Sequence, residues 1–265
     1  MFFSSEEKNL SAEYLDAGFV IRPVQDASAL DWIRAKVIEN GQQVLGEKTE
    51  YEPNAWLNTA HERISVSNLN DYRIELIRRL NAEQKLRLKY FQLARSCLDA
   101  IVGNELAMQM RVNLSIQLPK DNSSLLPIHA DVWSGDSPFE TVVWVPLVDC
   151  FGTKAMFLLP PSETQDLHLR FAEFAGKGNE AIFREYENSI RWIDIQYGEV
   201  LIFNQNLPHG NRINQEQETR WSMNCRFKSV FSPYGEKKLG EFFEPITLRA
   251  ATRIGMRYKL PGAGS

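Results

Sequence analysis

The sequence predicts a mainly β fold with flanking helices: a double-stranded β-helix barrel of the jelly-roll or cupin type, behind an N-terminal helical region. Three observations carry this expectation. Apolar residues recur at helical spacing in the first hundred or so positions, and the period then changes to two. Two of the later strands, 108–118 and 219–231, are polar along one whole face, as strands lining a polar interior would be.

Taken in order, Asp26 is placed to cap a helix that carries Leu30, Ile33, Val37 and Ile38 on one face, with Gly41 after its last turn. Leu86, Tyr90, Leu93, Ala94, Cys97, Leu98 and Ile101 describe a second long helix, ended by Gly103. Over 108–118 the even positions are Met, Met, Val, Leu, Ile and Leu, and between them stand Gln109, Arg111, Asn113, Ser115 and Gln117. Further strands are expected at 141–148, 155–159, 190–196 and 199–204, divided by Gly, Pro and Asp. In 219–231, Arg220, Ser222, Asn224, Arg226 and Lys228 alternate with Trp221, Met223, Cys225 and Phe227. The expected organisation is a helical region at 1–105 packed on the barrel, a double-stranded β-helix core at 106–235 with an insertion at 160–190, and a C-terminal extension at 236–265, loose beyond Leu260.

Composition narrows the function. With 265 residues and 43% hydrophobic content, the chain can bury a substantial core. Net charge is −4 and the 30 basic residues are dispersed, so nucleic acid is not the expected partner. The opening MFFSSEEKNL lacks the basic and apolar regions of a secretory signal, and no run approaches the ~20 apolar residues of a membrane span, so a cytoplasmic protein is expected. Cys97, Cys150 and Cys225 are odd in number and widely spaced, which points to buried thiols and away from a disulfide framework or zinc finger.

Two of the four histidines suit a metal. In an extended segment the side chains of His129 and Asp131 point to the same side. His209 follows the apolar run 200–203 and precedes Gly210, where the chain can turn at a barrel mouth. Two histidines and a carboxylate on three corners of an octahedron leave three positions open, the arrangement of non-haem iron oxygenases. A His-x-Asp triplet alone arises readily by chance. Arg220-Trp-Ser222, eleven residues beyond His209, strengthens it by setting a guanidinium and a hydroxyl on one strand face, suited to a carboxylate.

Other polar residues keep two readings. Asn113, Ser115 and Gln117 would line the cavity or form an exposed strand face. Trp133, Asp136 and Glu140 would contact a substrate by stacking and hydrogen bonds or pack on the barrel rim. Arg226 stands about 20 Å along the strand from Arg220; it would meet an anionic group of a substrate or make an internal ion pair. His61 and His168 are expected at the surface.

His129-x-Asp131, His209 and Arg220-x-Ser222 together resemble the pattern of the iron(II)/2-oxoglutarate-dependent oxygenases, over roughly residues 108–232, and their spacing resembles the phytanoyl-CoA dioxygenase-like branch. Residues 129–140 (HADVWSGDSPFE), 144–149 (WVPLVD) and 231–234 (FSPY) are similar to oxygenases of carbohydrate-biosynthesis clusters, including the streptomycin type. The resemblance implies Fe(II) on His129, Asp131 and His209, 2-oxoglutarate on Arg220 and Ser222 with Asn113 and Gln117 beside it, and dioxygen as co-substrate. It also implies a sugar, aminocyclitol or sugar-nucleotide substrate. Related halogenases leave the carboxylate position vacant for chloride, so Asp131 favours hydroxylation, with desaturation or epimerisation as variants of the same hydrogen abstraction. The alternatives are a cupin-type metal enzyme that does not use 2-oxoglutarate, or a non-catalytic metal- or sugar-binding barrel. The N-terminal helices would form a homodimer face, cover the site or buttress the barrel.

Overall fold

A computed structural model describes residues 2–47, 50 and 52–261. The first helix, α1 (Ser5–Ala17), opens with a capping box between Ser4 and Glu7, and Gly18 in the left-handed region turns the chain into the edge strand β1 (Phe19–Pro23). Asp26 does cap α2 (Ala27–Leu45), accepting from the Ala29 amide at 2.9 Å. Gly41 does not end this helix: it lies within it, and the left-handed Gly46 is the stop. A Cβ on Gly41 would stand 2.5 Å from Tyr72 Oη and 2.6 Å from the Trp56 ring, so glycine here serves close helix packing.

Next come α3 (Pro53–Asn58) and α4 (Val66–Ala82). The single long helix expected at 86–101 is two, α5 (Leu86–Gln92) and α6 (Arg95–Ile101), because Ala94 leaves helical geometry at φ −136° and ψ 18°. The strand expected over 108–118 is likewise divided, into β2 (Leu106–Gln109) and β3 (Asn113–Gln117). Asn81 of α4 sustains this break by accepting from the Val112 amide at 2.9 Å and donating to the Val112 carbonyl at 3.0 Å.

The remaining elements are β4 (Thr141–Pro146), β5 (Phe157–Leu158), α7 (Pro161–Leu169), α8 (Asn179–Tyr186), β6 (Arg191–Trp192), β7 (Glu199–Asn204), β8 (His209–Gly210), β9 (Arg220–Ser229), β10 (Phe243–Pro245) and α9 (Ala250–Gly255). The segment 160–190 is thus helical. Residues 262–265 of the C-terminal extension lie outside the described residues. Among the described residues no helix is long and apolar enough to cross a membrane.

The strands form two sheets. The larger runs β1-β7-β4-β9-β2-β10, with β3 also on β9, and the pairings are antiparallel; the smaller is β6-β5-β8. One face of the large sheet meets the helices in a continuous apolar core. Leu30, Ile33, Val37, Leu69, Leu76 and Leu80 pack there with Ile116, Val143, Ile202, Trp221, Met223 and Phe227. Tyr90 closes this layer with its hydroxyl on the carbonyls of Val143 and Met223, at 2.9 and 3.0 Å. The opposite, polar face of β3 and β9 therefore turns inward to the space between the sheets and is not a solvated face.

Candidate metal centre and anion pocket

The β3–β9 register builds one wall of the site. Asn113 pairs with Asn224, Ser115 with Ser222, and Gln117 with Arg220. β4 runs along the other edge of β9, with Val142 opposite Arg226 and Trp144 opposite Asn224. Facing them are His209 and Gly210 of the small sheet, with His129 joined to His209 by reciprocal backbone bonds of 2.9 and 2.8 Å. The enclosed cavity is about 240 Å³. Asn113, Ser115, Arg220, Ser222, Asn224 and Arg226 line its polar side, and Leu126, Val142, Trp144, Met156 and Phe203 its apolar side.

His129, Asp131 and His209 each offer a ligand atom to the cavity, all within 4.8 Å of one another. In both histidines Nδ1 faces the carbonyl oxygen two residues upstream, Pro127 at 2.8 Å and Leu207 at 2.9 Å. A carbonyl only accepts, so each Nδ1 carries the proton and each Nε2 keeps its lone pair for a metal. Burial pushes the His209 imidazole down to about 4, with the neighbouring His129 adding to the effect, so its metal-binding neutral form prevails at neutral pH. Burial alone would raise the Asp131 carboxyl. The Arg226 charge and the two histidines outweigh it and hold the group ionised, below its usual range.

Asp131 Oδ2 accepts from Arg226 Nη2 at 2.7 Å, while Oδ1 lies 3.7 Å from His129 Nε2. Arg226 Nε donates to Gln205 Oε1 at 3.1 Å, and Gln109 Oε1 accepts from the Arg226 amide and from Nη1 at 3.3 and 3.5 Å. Of the two readings open to Arg226, the structure places it in an internal ion pair on the cavity wall.

Arg220 is different. Only 3% exposed, it donates from Nη2 to Ser115 Oγ at 3.2 Å, and among the described residues its Nε and Nη1 have no partner, nor has Ser222 Oγ. Burial lowers the pKa of this guanidinium, the mark of a charge deprived of solvent. Buried donors left unmade are expensive, so this cluster fits an incoming anion.

Three residues expected at the substrate do not line the cavity. Trp133 packs against Phe171 of the helical segment, ring centroids 5.1 Å apart and the planes tilted by 58°. Asp136 is buried against Lys237, 2.6 Å away, and Glu140 accepts from Gln205 Nε2 at 3.0 Å and from the Ser137 amide at 3.2 Å. Burial raises the Glu140 carboxyl. Gln117 is also off the cavity surface, with Nε2 on the Arg212 carbonyl at 2.6 Å. His168 is exposed as expected, but His61 is half-buried and bonded to Thr219 Oγ1 at 3.0 Å. The three thiols are free and buried. Sequence reasoning passed over Asn211, whose Oδ1 accepts from the Leu126 amide at 2.7 Å, and Gln205, which links Arg226 to Glu140. Asn211 follows His209 by two residues, so period-two reasoning would have brought it to the same wall.

No protein-family model and no curated protein matches the sequence. Solved structures do match. The nickel complex of the non-haem monooxygenase ThoJ aligns at TM-score 0.57 and 16% identity, over 90% of this chain and 84% of that one. The epimerase SnoN in complex with Fe3+, alpha-ketoglutarate and nogalamycin RO aligns at 0.51 and 17%, over 98% and 92%. HygX from Streptomyces hygroscopicus, with nickel and 2-oxoglutarate bound, aligns at 0.52 and 13%, over 89% and 90%. At these identities the likeness establishes a shared fold, an antiparallel sheet-rich architecture with flanking helices.

Proposed function

We propose that the chain is a non-haem iron(II)- and 2-oxoglutarate-dependent oxygenase that hydroxylates a small carbohydrate-derived molecule: a sugar, aminocyclitol or sugar nucleotide. One observation carries the reading. A two-histidine, one-carboxylate set shares a cavity with a buried guanidinium and hydroxyl, Arg220 and Ser222, whose free donors have no partner among the described residues. A cupin-type enzyme without 2-oxoglutarate would need the first group and leave the second unexplained.

In this reading the two facing sheets are the halves of a double-stranded β-helix, with residues 106–235 as its core and 1–105 packed outside. His129, Asp131 and His209 hold the iron, Arg220 pairs with the distal carboxylate of 2-oxoglutarate, and Ser222 donates beside it. Iron(II) with 2-oxoglutarate supplies the chemistry, activation of dioxygen coupled to loss of carbon dioxide and attack on an unactivated C–H bond. The chain holds, orients and dries the site. Val142, Trp144, Met156 and Phe203 exclude water, and Asn113, Asn211 and Asn224 offer neutral hydrogen bonds to a hydroxylated substrate. The metal and co-substrate bound by SnoN and HygX, which share the fold, support the cofactor assignment. The resemblance of 129–140, 144–149 and 231–234 to carbohydrate-cluster oxygenases supports the substrate class.

The test is anaerobic titration of iron(II) and 2-oxoglutarate into the metal-free protein. A visible charge-transfer band in the wild type, absent from His209→Ala, is expected. Bound iron with no band on adding 2-oxoglutarate would contradict the reading.

A further inference from the structure

We infer that Arg226 is a positioning residue that limits Asp131 to a single metal-binding oxygen and so keeps the third open coordination position free. This inference rests on the metal and 2-oxoglutarate reading given above and concerns the count of open positions. A carboxylate beside a divalent ion can bind through one oxygen or both. If Asp131 used both, it would occupy four positions with the two histidines, and a bidentate co-substrate would leave none for dioxygen.

The geometry separates the two oxygens. Oδ2 is held by Arg226 Nη2 at 2.7 Å, whereas Oδ1 is turned towards His129 Nε2, 3.7 Å away. Arg226 is itself fixed from two directions. Gln205 Oε1 receives its Nε at 3.1 Å, and Gln109 Oε1 stands 3.5 Å from Nη1. Gln205 cannot turn its amide over without loss, because Nε2 is bonded at 3.0 Å both to Glu140 Oε2 and to the Ser137 carbonyl. Glu140, buried and away from the cavity wall, thus acquires a reason to be where it is: it sets the sense of the Gln205 amide that receives Arg226. The guanidinium charge also repels a divalent ion. Arg226 is therefore not built to tighten metal binding, and its effect belongs in the coordination number.

The probe is Co(II), then 2-oxoglutarate, then azide as a small ligand for the last open position, added to wild type, Arg226→Met and Arg226→Lys, with folding checked by circular dichroism. Methionine keeps much of the length and removes the donors; lysine keeps the charge but not the fork. In Arg226→Met the freed carboxylate should chelate, seen as a change in the cobalt d–d bands before any co-substrate is added. 2-Oxoglutarate should still take the two remaining positions with little change in affinity, whereas azide, which needs the third open position, should shift the bands of the wild-type complex and no longer shift those of the variant. Arg226→Lys should fall between the two, and it decides the matter if the methionine variant does not fold. Cobalt spectra and azide response equal to wild type in whichever variants fold would overturn the inference alone. A wild type whose cobalt spectrum ignores 2-oxoglutarate would overturn the co-substrate reading and the inference with it.

Discussion

Arg220 and Arg226 stand on one face of β9, and their surroundings are opposite. Arg226 has its donors engaged within the protein, on Asp131, Gln205 and Gln109. Arg220 is the more deeply buried, yet Nε and Nη1 have no partner among the described residues. An unmade buried hydrogen bond costs about 1–3 kcal/mol, more for a charged group, so such a residue makes sense where something outside the chain completes it. Strand, face and residue type do not separate the arginine proposed to bind a ligand from the one proposed to position Asp131. The completeness of the hydrogen bonding does.

The strongest way to break this comparison is Arg220→Met. Two charge-assisted bonds to a carboxylate, at about 2 kcal/mol each, predict close to a thousandfold loss of 2-oxoglutarate affinity on the Co(II)-loaded protein. The same substitution should leave urea stability of the metal-free protein unchanged or raised, since it removes unsatisfied buried donors. A loss smaller than tenfold would erase the distinction between the two arginines.

Arg226→Met should do the reverse to stability, lowering it by about 3 kcal/mol in urea denaturation, because the Asp131 carboxylate is left buried without its partner. Wild-type stability would mean that the pair is not what holds the carboxylate.

Acid titration sharpens the same region. The His209 imidazole lies at about 4 in the folded protein against an ordinary 6.5, so as pH falls the unfolded chain takes up this proton first. The stabilisation from His209 is complete above 6.5 and is lost progressively towards 4, about 1.4 kcal/mol per pH unit and on the order of 3 kcal/mol in all. Glu140, raised by burial, opposes it within part of this window. The difference between wild type and His209→Gln isolates the histidine, and parallel stability curves would contradict the assignment.

The smallest effect is expected at Ser222→Ala. About 1 kcal/mol, roughly fivefold in 2-oxoglutarate affinity, should be lost with no change in metal binding.

The polar face of β9 was readable in the sequence because ladder pairing enforces a period of two, and the metal set because its residue types carry the chemistry themselves. Whether that face met solvent or a cavity depended on β3, β4 and the small sheet, which pair with or face β9 only in the fold. The loop after Asp131 kept two readings for a similar reason: Trp133, Asp136 and Glu140 are held by Phe171, Lys237 and Gln205, all distant in sequence. The break between β2 and β3 rests on Asn81 of another helix, which no local pattern announces. The helix α4 was different, since Leu69, Tyr72, Leu76 and Leu80 recur at three- and four-residue steps and could have been read.

The most direct test is a crystal structure of the protein with Ni(II) and 2-oxoglutarate. The metal should sit on His129, one oxygen of Asp131 and His209, with the distal carboxylate on Arg220 and Ser222 and Arg226 still on Asp131. A carboxylate bound to Arg226 in place of Arg220, or a metal elsewhere than the His129–Asp131–His209 set, would contradict the account.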